Sequence, residues 1–364
     1  MIKQKPKNTI LSIIAIAALL VILELIGRSK IDHYYIRILQ YWSIYIIYGA
    51  SFQLLYGYTG LLSLGHAGLI AIGAYVVGIF TISPATKAMS FLLQPPAPFI
   101  SNVQIPFIPA LIIGGVFAAL FGLVVAAPAL RLGGDYLAIV TMGFAEVIRL
   151  LIVNMPSIFN GAMGLRAIPQ SATLLMTWSV AIVCLFVMKR FENSTYGRAL
   201  LAINEDEIGA EALGINVFSN KVKAFVLSSF FAGIGGGLMA SVLGTIDPNT
   251  FKSTLTYTAV TICVLGGIRS ATGVIIASGI YSIMSEFLRV FESPIKIGNL
   301  NFSGMPGMRV LVFGIMLLFL MLFRREGLLG SKEFSWDWFF SLFKKKPPKE
   351  HEKTVNVDKM GGSL

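Results

Sequence analysis

Apolar residues along this chain are gathered into long blocks, separated by short stretches rich in glycine, proline and charge. A block of about 20 apolar residues is what a helix rising 1.5 Å per residue needs to cross roughly 30 Å of hydrocarbon. That ruler predicts spans over 10–27, 38–56, 61–82, 107–127, 136–153, 172–188, 224–244, 254–268, 273–290 and 308–323. About ten transmembrane helices make this an all-α polytopic membrane protein. Lys3, Lys5 and Lys7 precede the first block as they would in a secretory signal. That block, however, exceeds the about 7–15 apolar residues of a signal, and Gly27-Arg28-Ser29-Lys30 stands where small residues would mark cleavage, so it reads as a retained anchor. The predicted organisation is a short N-terminus (1–9), a membrane domain (10–323) interrupted by one polar loop (188–223), and a polar tail (324–364) without periodicity, largely disordered. Trp336 to Phe340, WDWFF, is suited to an interfacial anchor just before the lysine-rich end.

Composition agrees with the pattern. The 364 residues are 55% hydrophobic and 13% charged, with a mean hydropathy of +0.77, against about one-quarter charged in soluble domains. The formal charge of +11 raises the question of nucleic acid, but the basic residues flank the apolar blocks, and positive-inside anchoring explains them without a nucleic-acid partner. An even number of crossings returns both termini to one side. With that side cytoplasmic, its segments collect Lys3, Lys5, Lys7, Arg131, Lys189, Arg190, Arg198, Lys221, Lys223, Arg269, Arg324, Arg325 and the tail lysines, while the Pro-rich loop 83–106, with Lys87 alone, falls outside. Cys184 and Cys263 lie in separate apolar blocks and read as free thiols.

Catalytic signatures are missing. The sequence has no GxxxxGK[ST] phosphate cradle, no HExxH, no CxxC and no GxSxG, and its histidines, His33, His66 and His351, are scattered. Neither an enzyme nor a resident cofactor is expected. Within the membrane blocks, Glu24, Glu146 with Arg149, and Glu286 with Arg289 carry charge. The last two are i, i+3 pairs of opposite sign, suited to structural ion pairs; unpaired, they would suggest a proton relay and an ion-coupled secondary transporter.

Two stretches stand out from the bilayer filler. The polar loop contains a short predicted helix, with Asn204 as cap, Glu205, Asp206 and Glu207 in the first turn, and Gly214 as terminator. So short a helix is marginal alone, and its apolar set Ile208, Ala212, Leu213 and Ile215 suggests docking onto another protein; a solvated connecting loop is the alternative. The other stretch, Tyr58 to Tyr75, reads YTGLLSLGHAGLIAIGAY.

Together these stretches resemble the permease subunits of ABC importers. AEALGI, from Ala210 to Ile215, is similar to their cytoplasmic coupling loop, in a compact variant that departs from the general Glu-Ala-Ala-x-x-x-Gly register. Gly57 to Tyr75, Arg131 to Arg149 (RLGGDYLAIVTMGFAEVIR) and Ser194 to Val217 (STYGRALLAINEDEIGAEALGINV) resemble the LivM-type member of the branched-chain amino-acid group. FNGAMGL, from Phe159 to Leu165, departs from that group's usual glycine-rich external loop. The resemblance implies a type II-like permease with a pseudo-repeat, to which ATGVIIASGIY (Ala271 to Tyr281) and HAGLIAIGAY (His66 to Tyr75) answer weakly. It implies a homologous LivH-type permease, two cytoplasmic ATPase subunits that bind ATP and magnesium, and an external substrate-binding protein as partners, in a bacterial or archaeal plasma membrane. The implied cargo is a branched-chain amino acid, with urea or another small amide as the alternative. The ATPase-coupling residues are then Asn204, Glu205, Asp206, Glu207, Ile208, Glu211, Ala212, Leu213, Gly214 and Ile215. Gly60, Ser63, Gly65, His66 and Gly68 would break a helix beside the translocation path, since a broken helix in a bilayer must face protein or a water-filled cavity. Close helix contacts are the competing use of these glycines.

Overall fold

The computed structural model describes residues 6–333, apart from 30, 92, 133–135, 293–294, 298–299, 303–304, 306, 324–326 and 331–332. Lys3, Lys5, WDWFF and the tail from 334 lie outside them. Each predicted span falls on a helix: α1 (Pro6–Arg28), α2 (His33–Thr59), α3 (His66–Thr81), α6 (Phe107–Ala129), α7 (Tyr136–Asn154), α9 (Leu174–Glu192), α12 (Val217–Leu243), α13 (Ser253–Gly266), α14 (Ala271–Glu292) and α15 (Met308–Phe323). Short helices fill the connections: α4 (Pro84–Ser90), α5 (Pro98–Ser101), α8 (Pro156–Phe159), α10 (Thr195–Glu205) and α11 (Glu207–Ala212). A hairpin of two three-residue strands, Ile295–Ile297 and Leu300–Phe302, links α14 to α15.

By length and composition, not all ten segments match the bilayer as single helices. Among the described residues, α6, α7, α9, α12 and α14 are both long and apolar enough to cross; α3 joins them only if counted with α4, from which it is bent by 116°. α3 and α13 have 16 and 14 residues, or about 24 and 21 Å, short of the roughly 30 Å of hydrocarbon.

Helix α12 is the axis of the bundle. It packs most broadly against α6, α3 and α2, while α2 in turn carries α9, α14 and α13. Close approach is possible because glycines face one another: a Cβ on Gly73 of α3 would lie 2.1 Å from the carbonyl oxygen of Gly233, and one on Gly236 2.1 Å from that of Ile70. Cys184 and Cys263 are buried and unbonded. The membrane charges are paired at i, i+3 or i, i+4: Arg28 with Glu24 at 2.7 Å, Arg149 with Glu146 at 2.5 Å, and Arg289 with Glu286 at 3.0 Å.

Segments assigned to one side by charge alternation do meet at one end of the bundle. At the first end, Asn204 touches Gly57, Arg269 touches Glu205, Lys221 touches Glu207, and Lys189 touches Glu333. At the other end, the amide of Asn160 donates to Ser90 O at 3.1 Å, Leu165 and Ile246 exchange backbone hydrogen bonds at 2.9 Å, and the buried Lys87 Nζ donates to Ile100 O at 2.9 Å. The divergent FNGAMGL loop is part of this second end. Asn160, Gly161 and Gly164 there take positive φ, and a Cβ on Gly164 would strike Ile246 O at 2.1 Å.

Candidate functional site

The first candidate region is the break between α2 and α3. Helix α2 ends where Gly60 adopts the left-handed conformation, φ 71°, which costs glycine little. Residues 60–65 then leave the helix and run back beside α2, because His66 Nε2 lies 2.8 Å from Ser51 Oγ. Ser51 is eight residues before the end of α2, about 12 Å along its axis. So α3 starts inside the bundle, which is why 16 residues suffice for it.

Several backbone N–H groups at the break have partners. Leu64 N donates to Thr141 Oγ1 of α7 at 3.0 Å, and Ala67 N to Thr256 Oγ1 of α13 at 2.9 Å. Gly65 N donates to Ser63 Oγ at 3.4 Å, and Gly68 N to Gly65 O at 3.1 Å. Without these acceptors each buried N–H would cost about 1–3 kcal/mol. Ser63 and His66 are fully buried, and Phe52 meets the imidazole edge to face at 5.6 Å. His66 Nδ1 has no partner among the described residues. The glycines serve close contacts: a Cβ on Gly65 would come within 2.6 Å of Thr141 O, and one on Gly68 within 2.8 Å of Ala145 Cα. The five residues proposed for a path thus gather in one break, and of them Gly60 alone is exposed in this subunit.

The second region is the loop between α9 and α12, where the structure corrects the predicted capping. Asn204 does not cap the short helix; it lies in the last turn of α10, and its Nδ2 donates to Gly57 O at 3.4 Å. The cap of α11 is Asp206, whose Oδ1 accepts from Ile208 N at 3.0 Å and Gly209 N at 3.1 Å. A carboxylate accepts two amides and complements the helix dipole, which an amide side chain does less well. Glu205 therefore belongs to α10, and Glu207 opens α11. Gly214 does terminate the element, with φ 82°, and Ile215 N closes onto Ala210 O at 3.0 Å as in a Schellman motif. Ile215 is a second correction. It packs with Ala210, Val217 and Leu200 in a small core below the loop, so it holds α11 in place. Ile208 and Leu213 remain 81% and 82% exposed, with Glu211 and Ala212 also on the surface.

One contributor lies where sequence reading expected disorder. Glu333 accepts from Ala271 N at 3.1 Å and Thr272 N at 3.4 Å, capping α14, and pairs with Lys189 at 2.7 Å. Burial pushes its carboxyl up, but the Lys189 ammonium and these amides outweigh burial and hold it below the usual range. Thr141 and Thr256 were invisible for another reason: a threonine in an apolar helix has no sequence mark that says it serves a break elsewhere.

Residues 34–321 match the family described as branched-chain amino acid transport system / permease component. The chain belongs to this family. Of curated proteins, the high-affinity branched-chain amino acid transport system permease protein LivM of Escherichia coli K12 is 30% identical over 251 residues, 60% of this chain and 56% of that one. The probable branched-chain amino acid transport permease protein LivM of Methanocaldococcus jannaschii is 25% identical over 241 residues, 61% and 69% of the two chains. The autoinducer 2 import system permease protein LsrC of Yersinia pseudotuberculosis is 32% identical over 113 residues, 30% and 31%. The chain spans a little over half the length of the Escherichia coli relative. No solved structure matches. Both candidate regions, 57–68 and 204–215, lie inside the residues that carry the permease family match.

Proposed function

We propose that this permease is the membrane-spanning subunit of an ATP-driven importer for branched-chain amino acids. The observation that carries the proposal is α11: a two-turn helix capped at both ends, held outside the bundle, that presents Ile208 and Leu213 to solvent. Six helical residues do not persist for their own sake, and an apolar pair on a fixed polar mount is what a partner's groove requires. The family match supports a permease, and the branched-chain amino acid named for the LivM relatives supports that cargo. In this reading the partners are a homologous permease, two ATPase subunits that bind ATP and magnesium, and an external binding protein. The membrane is the bacterial or archaeal plasma membrane, with α10 and α11 on the cytoplasmic side. This chain hydrolyses nothing and needs no cofactor of its own. Nucleotide-driven closure of the ATPases moves α11, and the two permeases rock about a shared path.

Replacing Leu213 with aspartate tests this. The side chain is exposed in the isolated subunit, so folding changes by no more than about 0.5 kcal/mol. At a docked interface the same change strands an unpaired charge at a cost of a few kcal/mol. The variant is expected to insert and fold normally, and then to lose the ATPase subunits on purification or to hydrolyse ATP without transport. ATP-driven uptake at the unmodified level by Leu213→Asp would refute the docking role.

A further inference from the structure

Three elements far apart in sequence converge on one backbone oxygen. The carbonyl of Gly57, in the last turn of α2, accepts from Arg269 Nε at 3.3 Å and from Asn204 Nδ2 at 3.4 Å. Carbonyls in the last turn of a helix have no acceptor role within it, so partners from outside decide where that end sits. Arg269 comes from the connection between α13 and α14, and its Nη2 also holds Glu205 Oε1, at the end of α10, at 3.0 Å. The fit around this point is tight: a Cβ on Gly57 would lie 2.1 Å from Ile268 O, and one on Gly60 2.6 Å from Asn204 Oδ1. The end of α2 is thus wedged between α10 and the 268–269 turn.

Connectivity gives the wedge a direction. Asp206 alone separates α10 from α11, so a push on Ile208 or Leu213 reaches Asn204 and Glu205 through a single residue. Beyond Gly57 the chain enters the break at 60–65, whose far end is fixed by Thr141 and Thr256. We propose that Arg269 is a positioning residue that relays movement of α10 and α11 to the α2–α3 break, by holding Gly57 O and Glu205 in one guanidinium fork. An ammonium cannot do this as well, because only the planar fork presents two fixed donors to two acceptors on different elements. The relay rests on the importer reading of the preceding section.

The test measures uptake and ATP hydrolysis by the whole assembly reconstituted in vesicles, with and without Arg269→Ala. The relay predicts hydrolysis within about twofold of the unmodified assembly and uptake per ATP lowered about tenfold or more. A purely structural role lowers assembly yield, hydrolysis and uptake together, and would overturn the relay, as would an unchanged ratio. If Arg269→Ala does not assemble, Arg269→Lys decides: a ratio reduced at least about threefold in an intact assembly supports the relay, and an unchanged one overturns it. Absence of ATP-driven uptake in the unmodified assembly would instead overturn the importer reading itself, and the relay with it.

Discussion

A methyl group at position 73 is expected to separate the two helices at the centre of the bundle. The Cβ of Gly73→Ala would sit 2.1 Å from Gly233 O, 2.4 Å from Gly233 Cα and 2.5 Å from Gly233 C. All three are backbone atoms of α12, so no side chain can swing aside. Restoring an ordinary contact of about 3.4 Å requires a shift of roughly 1.3 Å between α3 and α12. Such a shift is not local, because α12 is packed as closely elsewhere: a Cβ on Gly233 itself would lie 2.4 Å from Ala118 Cβ of α6, and one on Gly236 2.1 Å from Ile70 O of α3. Overpacking costs about 1–3 kcal/mol where side chains can adjust, and a contact between backbones belongs at or above the top of that range. Gly143 of α7 is the matched control: nothing lies within 4 Å of its Cβ position, and alanine inside a helix is favoured over glycine by about 1 kcal/mol. The two substitutions are chemically identical, so the propensity gain cancels and their difference, about 3 kcal/mol or more, isolates the packing. Thermal unfolding of the detergent-solubilised variants, followed by loss of the monodisperse gel-filtration peak, should rank Gly143→Ala at or above the unmodified protein and Gly73→Ala several degrees below it. Equal melting temperatures for the two would refute the close α3–α12 contact.

Thr256→Val keeps the shape of the side chain but removes the acceptor of Ala67 N; a loss of about 1–3 kcal/mol is expected, with faster hydrogen exchange at the start of α3 as the specific readout, and unchanged exchange there would count against the Ala67–Thr256 hydrogen bond. Asp206→Ala removes both cap bonds of α11 and should weaken that helix by about 1 kcal/mol, seen as increased proteolysis between 205 and 214 with the membrane domain intact. Glu333→Gln tests the clamp on α14 by pH. The native carboxyl lies below its ordinary value of 4.5, so its contribution is full above that value and fades as the pH falls through the lowered native one. The gap in melting temperature between Glu333 and Gln should therefore be constant near neutrality and close on acidification; a gap that stays constant down to about pH 3 would refute the ionised clamp.

Much of the protein is determined by local sequence alone. Hydrocarbon admits only segments that satisfy their own backbone, so the apolar blocks had to be helices and their number and order could be read directly. Charge beside the blocks set which connections share an end, and the contacts of Asn204 with Gly57 and of Lys189 with Glu333 follow that order. Gly214 as a terminator and the exposure of Ile208 and Leu213 were legible for the same reason: a short helix and its cap depend on neighbours a few residues away. What needed the tertiary structure were decisions made by distant partners. Asp206, not Asn204, is the cap because α10 runs on to Glu205 and places Asn204 inside it, where its Nδ2 donates to Gly57 O, 147 positions away. Ile215 turned inward because Leu200 and Val217 offered it a core. The break at 60–65 was visible as glycines, but the acceptors of its amides were not: they are Thr141 and Thr256, two threonines that look like any others in an apolar helix. A hydroxyl's role is set by the amide it meets, and only folding brings the two together.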